Sequence, residues 1–132
     1  MRFMMLVRLP ADTSADCARD QADVVRMQRY NEGLTRAGVL LALDGLHPMA
    51  EGARVEFTGG RCRVVDGPWV EGTTLVGGYW LLQVSSKEEA VEWARRCPMR
   101  DGDVIEVRRV YEVSDLAAEV RDAGQLLKAS PG

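Results

Sequence analysis

The sequence contains few of the residues that build metal centres or disulfide frameworks. Its 132 residues include a single histidine, His47, and three cysteines, Cys17, Cys62 and Cys97, which are widely spaced and form no C-x-x-C pair. Zinc sites need a set of three or four protein ligands, which these residues do not supply. We therefore expect no metal, no disulfide framework and a reducing, cytoplasmic compartment. Because Cys62 and Cys97 lie in apolar segments, they are predicted to be small core residues.

Long runs of one residue class are absent as well. The formal net charge is −3 and no long block of like charge occurs, which argues against a nucleic-acid surface. The run Phe3–Val7 holds five apolar residues before Arg8, too few for a membrane span or a signal-peptide core. The glycines form neither a G-x-G-x-x-G nor a P-loop pattern. We expect no nucleic-acid partner, no membrane association and no cofactor.

The chain has enough apolar material for one domain. A hydrophobic content of 46% in 132 residues supports one core, and two full domains would not fit. Residues 1–113 are predicted to form this domain, and residues 114–132 a C-terminal helix and tail of the same domain.

Local patterns predict alternating strands and helices. Amphipathic spacing in Asp20–Ala37 predicts a first helix, and the capping-box pair Ser86 and Glu89 begins a second helix that Pro98 ends. A third helix is predicted from Ser114. The predicted strands are Phe3–Leu9, Val39–Leu43, a hairpin of Arg54–Phe57 and Arg61–Val65 around a glycine turn, Gly78–Val84 and Asp103–Val113.

The order of these elements predicts an α+β fold. Strand, helix, strand, hairpin, strand, helix and strand contain two β-α-β halves around an inserted hairpin, which is the ferredoxin-like split β-α-β pattern. Helices cover one face of such a sheet, so the other face needs an apolar partner, and a second copy of the chain supplies one by two-fold symmetry. We therefore predict a homodimer of the dimeric α+β-barrel kind.

One segment carries a more specific pattern. The run Asp66-Gly67-Pro68-Trp69-Val70-Glu71, continued by Leu75–Trp80, resembles the DGPF-motif subgroup of the YCII-related family. Over about residues 1–113 the supporting segments stand in the same order as in that family: Leu34–Leu40, Gly45–Pro48, Ala90–Ala94 and Ile105–Arg108. The resemblance implies a ferredoxin-like dimer with a pocket between the sheet and the Asp-Gly-Pro loop.

Two departures from the family pattern limit what the resemblance implies. Family members with a proposed catalytic pair carry a histidine on the first helix, whereas the matching position here is Met27, so that role is not carried over. The aromatic residue of the motif is Trp69 rather than phenylalanine. The clearest enzymatic precedent in the family is an aromatic-ring dehydrochlorinase, and the resemblance leaves the reaction open.

The candidate catalytic residues are His47 and Asp66. A neutral imidazole is the side chain best suited to move a proton near pH 7, and Asp66 would orient the ring if the two converge on one pocket. The alternative for His47 is a loop histidine without a partner. The alternative for Asp66 is a tight turn in which the carboxylate bonds its own backbone.

The candidate ligand-binding residues are Trp69, Tyr79, Trp80 and Arg8. The aromatic side chains would form a planar wall for a small aromatic ligand, although core packing and dimer contact explain them as well. Because adjacent strand residues face opposite ways, only one of Tyr79 and Trp80 is expected to line a given pocket. Arg8 would bind a carboxylate or phenolate, or would be an exposed residue at a strand end.

These residues leave three functions open. The first is a cofactor-free lyase, isomerase or cyclase that acts by proton transfer on a hydroxylated or quinone-like aromatic compound. The second is a non-catalytic dimer that binds a small molecule or serves as an accessory subunit, and the third is a structural dimer without a pocket. Catalysis requires His47 close to Asp66, or a buried water beside a closed apolar cavity, whereas binding tolerates His47 in solvent.

Overall fold

The computed structural model describes residues 1–10, 20–68 and 74–117. Its elements are β1 (Arg2–Pro10), α1 (Gln21–Arg36), β2 (Leu40–Gly45), a 3-10 turn (Met49–Glu51), β3 (Ala53–Thr58), β4 (Arg61–Asp66), β5 (Thr74–Gln83), α2 (Lys87–Arg95) and β6 (Val104–Arg109). A further helix begins at residue 113. Trp69 and the part of the predicted third helix after residue 117 lie outside the described residues.

The described strands form two antiparallel sheets. Four of them pair in the order β2-β5-β1-β6, and β3 and β4 form a separate hairpin. Helix α1 connects β1 with β2, which flank β5, and helix α2 connects β5 with β6, which flank β1. The predicted α+β class is thus confirmed.

The core lies between the four-stranded sheet and the helices. Along β1 the side chains of Phe3, Met5 and Val7 are 4%, 0% and 6% exposed, which is the alternation of a strand with one covered face. Leu82 of β5 and Leu34 of α1 are fully buried against them. Truncating a fully buried leucine to alanine costs about 2–5 kcal/mol, so these contacts hold α1 on the sheet.

The opposite face of this sheet carries no helix among the described residues. The intervening β1 side chains, Met4, Leu6 and Arg8, point to this face because successive strand residues alternate. Tyr79 and Leu81 of β5 lie beside them and are partly buried by their neighbours. This helix-free face is therefore apolar at its centre.

Side-chain caps begin both long helices. The Asp20 carboxylate accepts a hydrogen bond from the backbone N–H of Asp23 at 2.8 Å, and the Ser86 hydroxyl accepts one from that of Glu89 at 3.1 Å. The Glu89 carboxylate accepts a hydrogen bond from the Ser85 hydroxyl at 2.8 Å. Such caps satisfy backbone donors that the first helical turn leaves unpaired.

The hairpin of β3 and β4 exposes an apolar face. Its strands meet at Gly59–Gly60, whose φ angles of 60° and 78° favour glycine. Val55 pairs with Val64 and Phe57 with Cys62, so the four side chains share one face. Phe57 is 79% exposed and Cys62 is exposed too. The prediction of a core position for Cys62 is wrong, because the hairpin forms a sheet of its own instead of joining the core.

Two strand ends differ from their predicted positions. Strand β5 begins at Thr74, four residues before the predicted Gly78, because β1 continues to pair with it as far as Pro10. Strand β6 ends at Arg109, four residues before Val113, where the chain has already entered the next helix.

Candidate functional site

A cavity of about 340 Å³ lies between α1 and the four-stranded sheet. Residues of α1, of β1, β2 and β5, and Met99 after α2 line it. Apolar side chains from the sheet, Val7, Leu9 and Leu43, contribute to its walls. Small-molecule pockets usually measure about 300–1,000 Å³, so this cavity has room for one small ligand.

One face of α1 forms the helical wall of the cavity. Val24, Met27, Gln28 and Asn31 all line it, and their spacing of three and four residues places them on one side of the helix. Val24 is 44% exposed, so this wall also reaches the surface. The helical wall therefore combines two apolar side chains with two side-chain amides.

Trp80 forms the sheet wall opposite these amides. Its indole Nε1 donates a hydrogen bond to Asn31 Oδ1 at 2.9 Å, and the side chain is only 6% exposed. The ring meets Tyr30 edge to face, with 5.7 Å between the ring centres and 84° between the planes. Both contacts fix the orientation of the indole, so the cavity has a rigid aromatic wall.

Tyr30 joins the two helices behind this wall. Its hydroxyl donates a hydrogen bond to the backbone carbonyl oxygen of Trp93 in α2 at 2.7 Å, and its ring lies edge-on to the Trp93 ring at 6.5 Å. Burial raises the pKa of the Tyr30 hydroxyl, because the phenolate would lose its solvation. The hydroxyl thus stays protonated and remains a donor.

Tyr79 and Asp44 border the cavity from the strands β5 and β2. The Tyr79 hydroxyl donates a hydrogen bond to Asp44 Oδ2 at 2.6 Å, and this bond raises the pKa of Tyr79 because it stabilises the protonated form. The two residues are cross-strand partners, so their side chains share one face of the sheet. Trp80, the next residue, faces α1, so the Tyr79 and Asp44 side chains lie on the helix-free face.

His47 and Asp66 lie on neighbouring segments beyond this cavity. The His47 side chain is 85% exposed, and its Nδ1 lies 3.1 Å from Glu51 Oε2. Asp66 ends β4, is exposed, and pairs through its backbone with Ala53. The structure describes both residues and shows no hydrogen bond or ion pair between their side chains. Their pairing as a catalytic dyad stays a prediction.

A backbone contact nevertheless brings the two motifs together. The N–H of Gly67, in the Asp-Gly-Pro segment, donates a hydrogen bond to the carbonyl oxygen of Gly52 at 2.8 Å. Gly52 directly follows Glu51, the partner of His47. The segment that carries His47 and the segment that carries Asp66 are therefore adjacent in the fold.

The other predicted ligand-binding residues have different positions. Arg8 Nε lies 3.0 Å from Glu106 Oε1, and this pair belongs to the helix-free face rather than to the cavity wall. Trp69 lies outside the described residues. Binding of a ligand by either residue stays a prediction.

A model of one protein family matches most of the chain. The match, to the YCII-related domain, spans residues 1–114 of 132. The chain belongs to the YCII-related family. No curated protein matches its sequence.

Met27 of this YCII-related domain lines the cavity. Its match to the helix histidine of some family members stays a prediction. Among the described lining residues, Asp44 and Tyr79 are the titratable ones, and their side chains bond each other. The described cavity wall therefore offers apolar surface and amide hydrogen bonds to a ligand.

The sequence patterns did not identify the two side-chain amides that line the cavity. Gln28 and Asn31 are not among the predicted ligand-binding residues, because the first helix is predicted from its amphipathic spacing alone. Their spacing from Val24 and Met27 was the available signal, since residues three, four and seven apart share a helix face.

The described residues contain no group of three or more His, Cys, Asp or Glu side chains that could hold a metal ion. No helix within these ranges is long and apolar enough to cross a membrane.

Proposed function

We propose that this YCII-related domain is a small-molecule-binding module whose cavity holds a planar, mainly apolar organic molecule. The observation that carries the proposal is the rigid wall formed by Trp80, held by Asn31 on one side and by Tyr30 on another. A fixed aromatic wall, apolar neighbours and few polar atoms are typical of ligand pockets. A flat ring stacks on such a wall with little loss of side-chain entropy, because the indole is already ordered.

The position of His47 favours binding over catalysis. A general base must come within about 2.6–3.2 Å of the proton that it removes, or act through one water. The His47 side chain is 85% exposed and does not line the cavity. A binding module tolerates this exposure of His47, whereas general-base catalysis does not.

We further propose that the domain works as a homodimer with a ferredoxin-like fold, within the DGPF-motif subgroup. The strand order β2-β5-β1-β6, with each helix crossing over one strand, supports the ferredoxin-like assignment. The apolar centre of the helix-free face supports a second sheet packed against it. The cytoplasm stays the predicted compartment.

Two valines on α1 test the binding proposal. Val24 lines the cavity and Val25 does not, although they are 44% and 41% exposed. A panel of uncharged aromatic compounds is screened by thermal unfolding, where a ligand at about 100 times its Kd adds about 2.7 kcal/mol, or roughly 8–13 °C for a domain of this size. Val24→Trp should abolish the shift because the indole fills the cavity, and Val25→Trp should keep it. Equal loss in both variants, or none in either, refutes the assignment of the site.

Proton-transfer catalysis is the second candidate function. Glu51 next to His47 Nδ1 favours it, because a carboxylate there orients the ring and leaves Nε2 for a substrate. Gly45, two residues before His47, lines the cavity. The next residue, Leu46, donates a hydrogen bond from its backbone N–H to the carbonyl oxygen of Gly77, another lining residue, at 3.0 Å. A substrate that projects from the cavity would therefore come close to this segment.

Turnover of a bound compound tests this second candidate. If His47 is the base, His47→Gln should lower turnover by about 10² to 10⁴. Glu51→Gln should cost less, because it removes only the orienting group. Asp66→Asn should match the Glu51 variant if Asp66 shares that role. Unchanged turnover in His47→Gln excludes the mechanism.

Light scattering tests the dimer. At micromolar concentration the protein should have twice the mass of its 14.6 kDa chain. Leu6→Glu, which places a charge in the apolar centre of the helix-free face, should shift it to monomer. A wild-type monomer at this concentration refutes the dimer.

A further inference from the structure

We propose that the ligand of the cavity carries an uncharged carbonyl oxygen, which accepts a hydrogen bond from the side-chain amide of Asn31. The inference rests on the proposed binding function and specifies the ligand class. It follows from the orientation of one amide, from the charge of the cavity wall and from the apolar surface around both.

The contact with Trp80 fixes the orientation of the Asn31 amide. An indole nitrogen donates hydrogen bonds and cannot accept them. The Asn31 atom at 2.9 Å from Trp80 Nε1 is therefore the oxygen Oδ1, and the amino group Nδ2 occupies the other branch of the amide. One of the two lone pairs of Oδ1 is thus engaged, and Nδ2 keeps both of its N–H donors for a ligand in the cavity that Asn31 lines.

The Nδ2 group requires an acceptor on the ligand. It carries two N–H donors and no lone pair that accepts. No described residue accepts a hydrogen bond from it. Gln28, one helical turn before Asn31, also lines the cavity and can donate to the same oxygen or to a second one. The polar part of the ligand is thus an oxygen that faces α1.

The absence of cationic side chains from the cavity wall favours a neutral oxygen. None of the described lining residues is Lys, Arg or His. A carboxylate brought into this cavity would lose solvation without gaining a countercharge, which is costly. A ketone, aldehyde or amide carbonyl accepts the same hydrogen bond without that cost.

The remaining surface fits an aryl group. Met27 of α1 and Leu43 and Trp80 of the sheet all line the cavity, so a ring attached to the carbonyl would meet a flexible thioether, an aliphatic side chain and a planar indole. The ligand class is therefore an uncharged aromatic carbonyl compound.

Three probes of nearly equal shape separate the contributions. Acetophenone carries the carbonyl, α-methylstyrene replaces its oxygen by a methylene group, and benzoate replaces the acetyl group by a carboxylate. The Kd of each is measured by ligand-observed NMR titration of the full chain. Asn31→Asp is the test variant, because its carboxylate still accepts from Trp80 Nε1 but offers no N–H to the ligand.

The expected result is a selective loss. Asn31→Asp should raise the Kd of acetophenone by about three- to tenfold, which is the contribution of one hydrogen bond, and the Kd of α-methylstyrene by less than about twofold. Benzoate should bind wild type more weakly than acetophenone. An unchanged near-ultraviolet circular dichroism spectrum should show that the Trp80 surroundings are intact in the variant.

Two other outcomes have distinct meanings. One such outcome is that wild type binds the probes while Asn31→Asp raises the Kd of acetophenone and of α-methylstyrene by the same factor, or changes neither Kd. In that case the carbonyl inference is wrong and the binding function stands. The same holds if benzoate binds more tightly than acetophenone. If no probe binds wild type, or if Val24→Trp leaves binding unchanged, the assignment of the cavity as the binding site fails, and the inference fails with it.

Discussion

Replacing Gly78 with alanine should destabilise the fold, whereas the same change at the adjacent Gly77 should be nearly neutral. A Cβ on Gly78 would lie 2.7 Å from the backbone oxygen of Asp44 and 3.2 Å from the Cα of Gly45. A Cβ on Gly77 would meet Leu9 Cδ1 at 2.6 Å, which is the end of a flexible side chain. Neither glycine has a positive φ, so alanine fits the backbone at both positions.

The difference between the two substitutions can be worked out from what has to move. At Gly78 the obstacle is the paired strand β2, and overpacking against fixed atoms costs about 1–3 kcal/mol. Alanine also lowers the conformational entropy of the unfolded chain, which stabilises the folded state by about 0.4–1 kcal/mol. We expect a net loss of about 1–2 kcal/mol for Gly78→Ala. At Gly77 a rotamer change of Leu9 costs about 0.5–1.5 kcal/mol, which the same entropy gain roughly offsets.

Urea unfolding and thermal unfolding of both variants, at one protein concentration, measure the difference in their free energy of unfolding. A fixed concentration is required because unfolding of a dimer depends on it. The midpoint of thermal unfolding should fall by about 3–10 °C for Gly78→Ala and change little for Gly77→Ala. If the two variants are equally stable, strand β2 is not held as closely to β5 as the structure shows, and the reasoning is refuted.

Two further predictions concern contacts that hold α1 in place. Tyr30→Phe should lower the free energy of unfolding, measured in urea, by about 1 kcal/mol, because it removes a buried hydrogen bond to α2. Tyr111→Phe, at a site that is 58% exposed, should leave it unchanged. Equal losses in the two variants would contradict this prediction. The hydrogen bond from Arg100 holds the pKa of Asp23 down from 3.8 to about 2, so the stabilisation is complete above pH 4 and is lost as the pH falls towards 2. Asp23→Asn should therefore lower the melting temperature at pH 7, and the difference in melting temperature from wild type should disappear between pH 4 and pH 2. A difference that does not change with pH would be evidence against the stabilising contact between Asp23 and Arg100.

The elements of the fold were predictable where local chemistry decides them. The caps Asp20 and Ser86 fixed both helix starts, because a side-chain oxygen before an amphipathic segment is a local signal. The early start of β5 at Thr74 was not predictable, because its partner Pro10 is far away in sequence. The exposure of Cys62 was missed for the same reason: an alternating strand does not reveal which sheet it joins.

The candidate site was less predictable than the fold. Trp80 was identified from its residue type; it lines the cavity and also belongs to the buried core, so its role in ligand binding stays a prediction. The partner of the exposed His47 could have been found, because Glu51 stands four residues further on. The role of Asn31 depends on a hydrogen bond to a residue 49 positions away, and no local pattern reports such a contact.

The ring contacts of Tyr30 have a consequence for spectroscopy. Its neighbours Trp80 and Trp93 lie 5.7 Å and 6.5 Å away, well within the range of resonance energy transfer, so light absorbed by the phenol is emitted by indoles. The two indoles have different surroundings: Trp80 borders the cavity, and Trp93 lies under the guanidinium of Arg96 at 4.1 Å. A molecule that enters the cavity should therefore alter the emission of Trp80 more than that of Trp93. Intrinsic fluorescence would then follow ligand exchange in real time, without any attached dye.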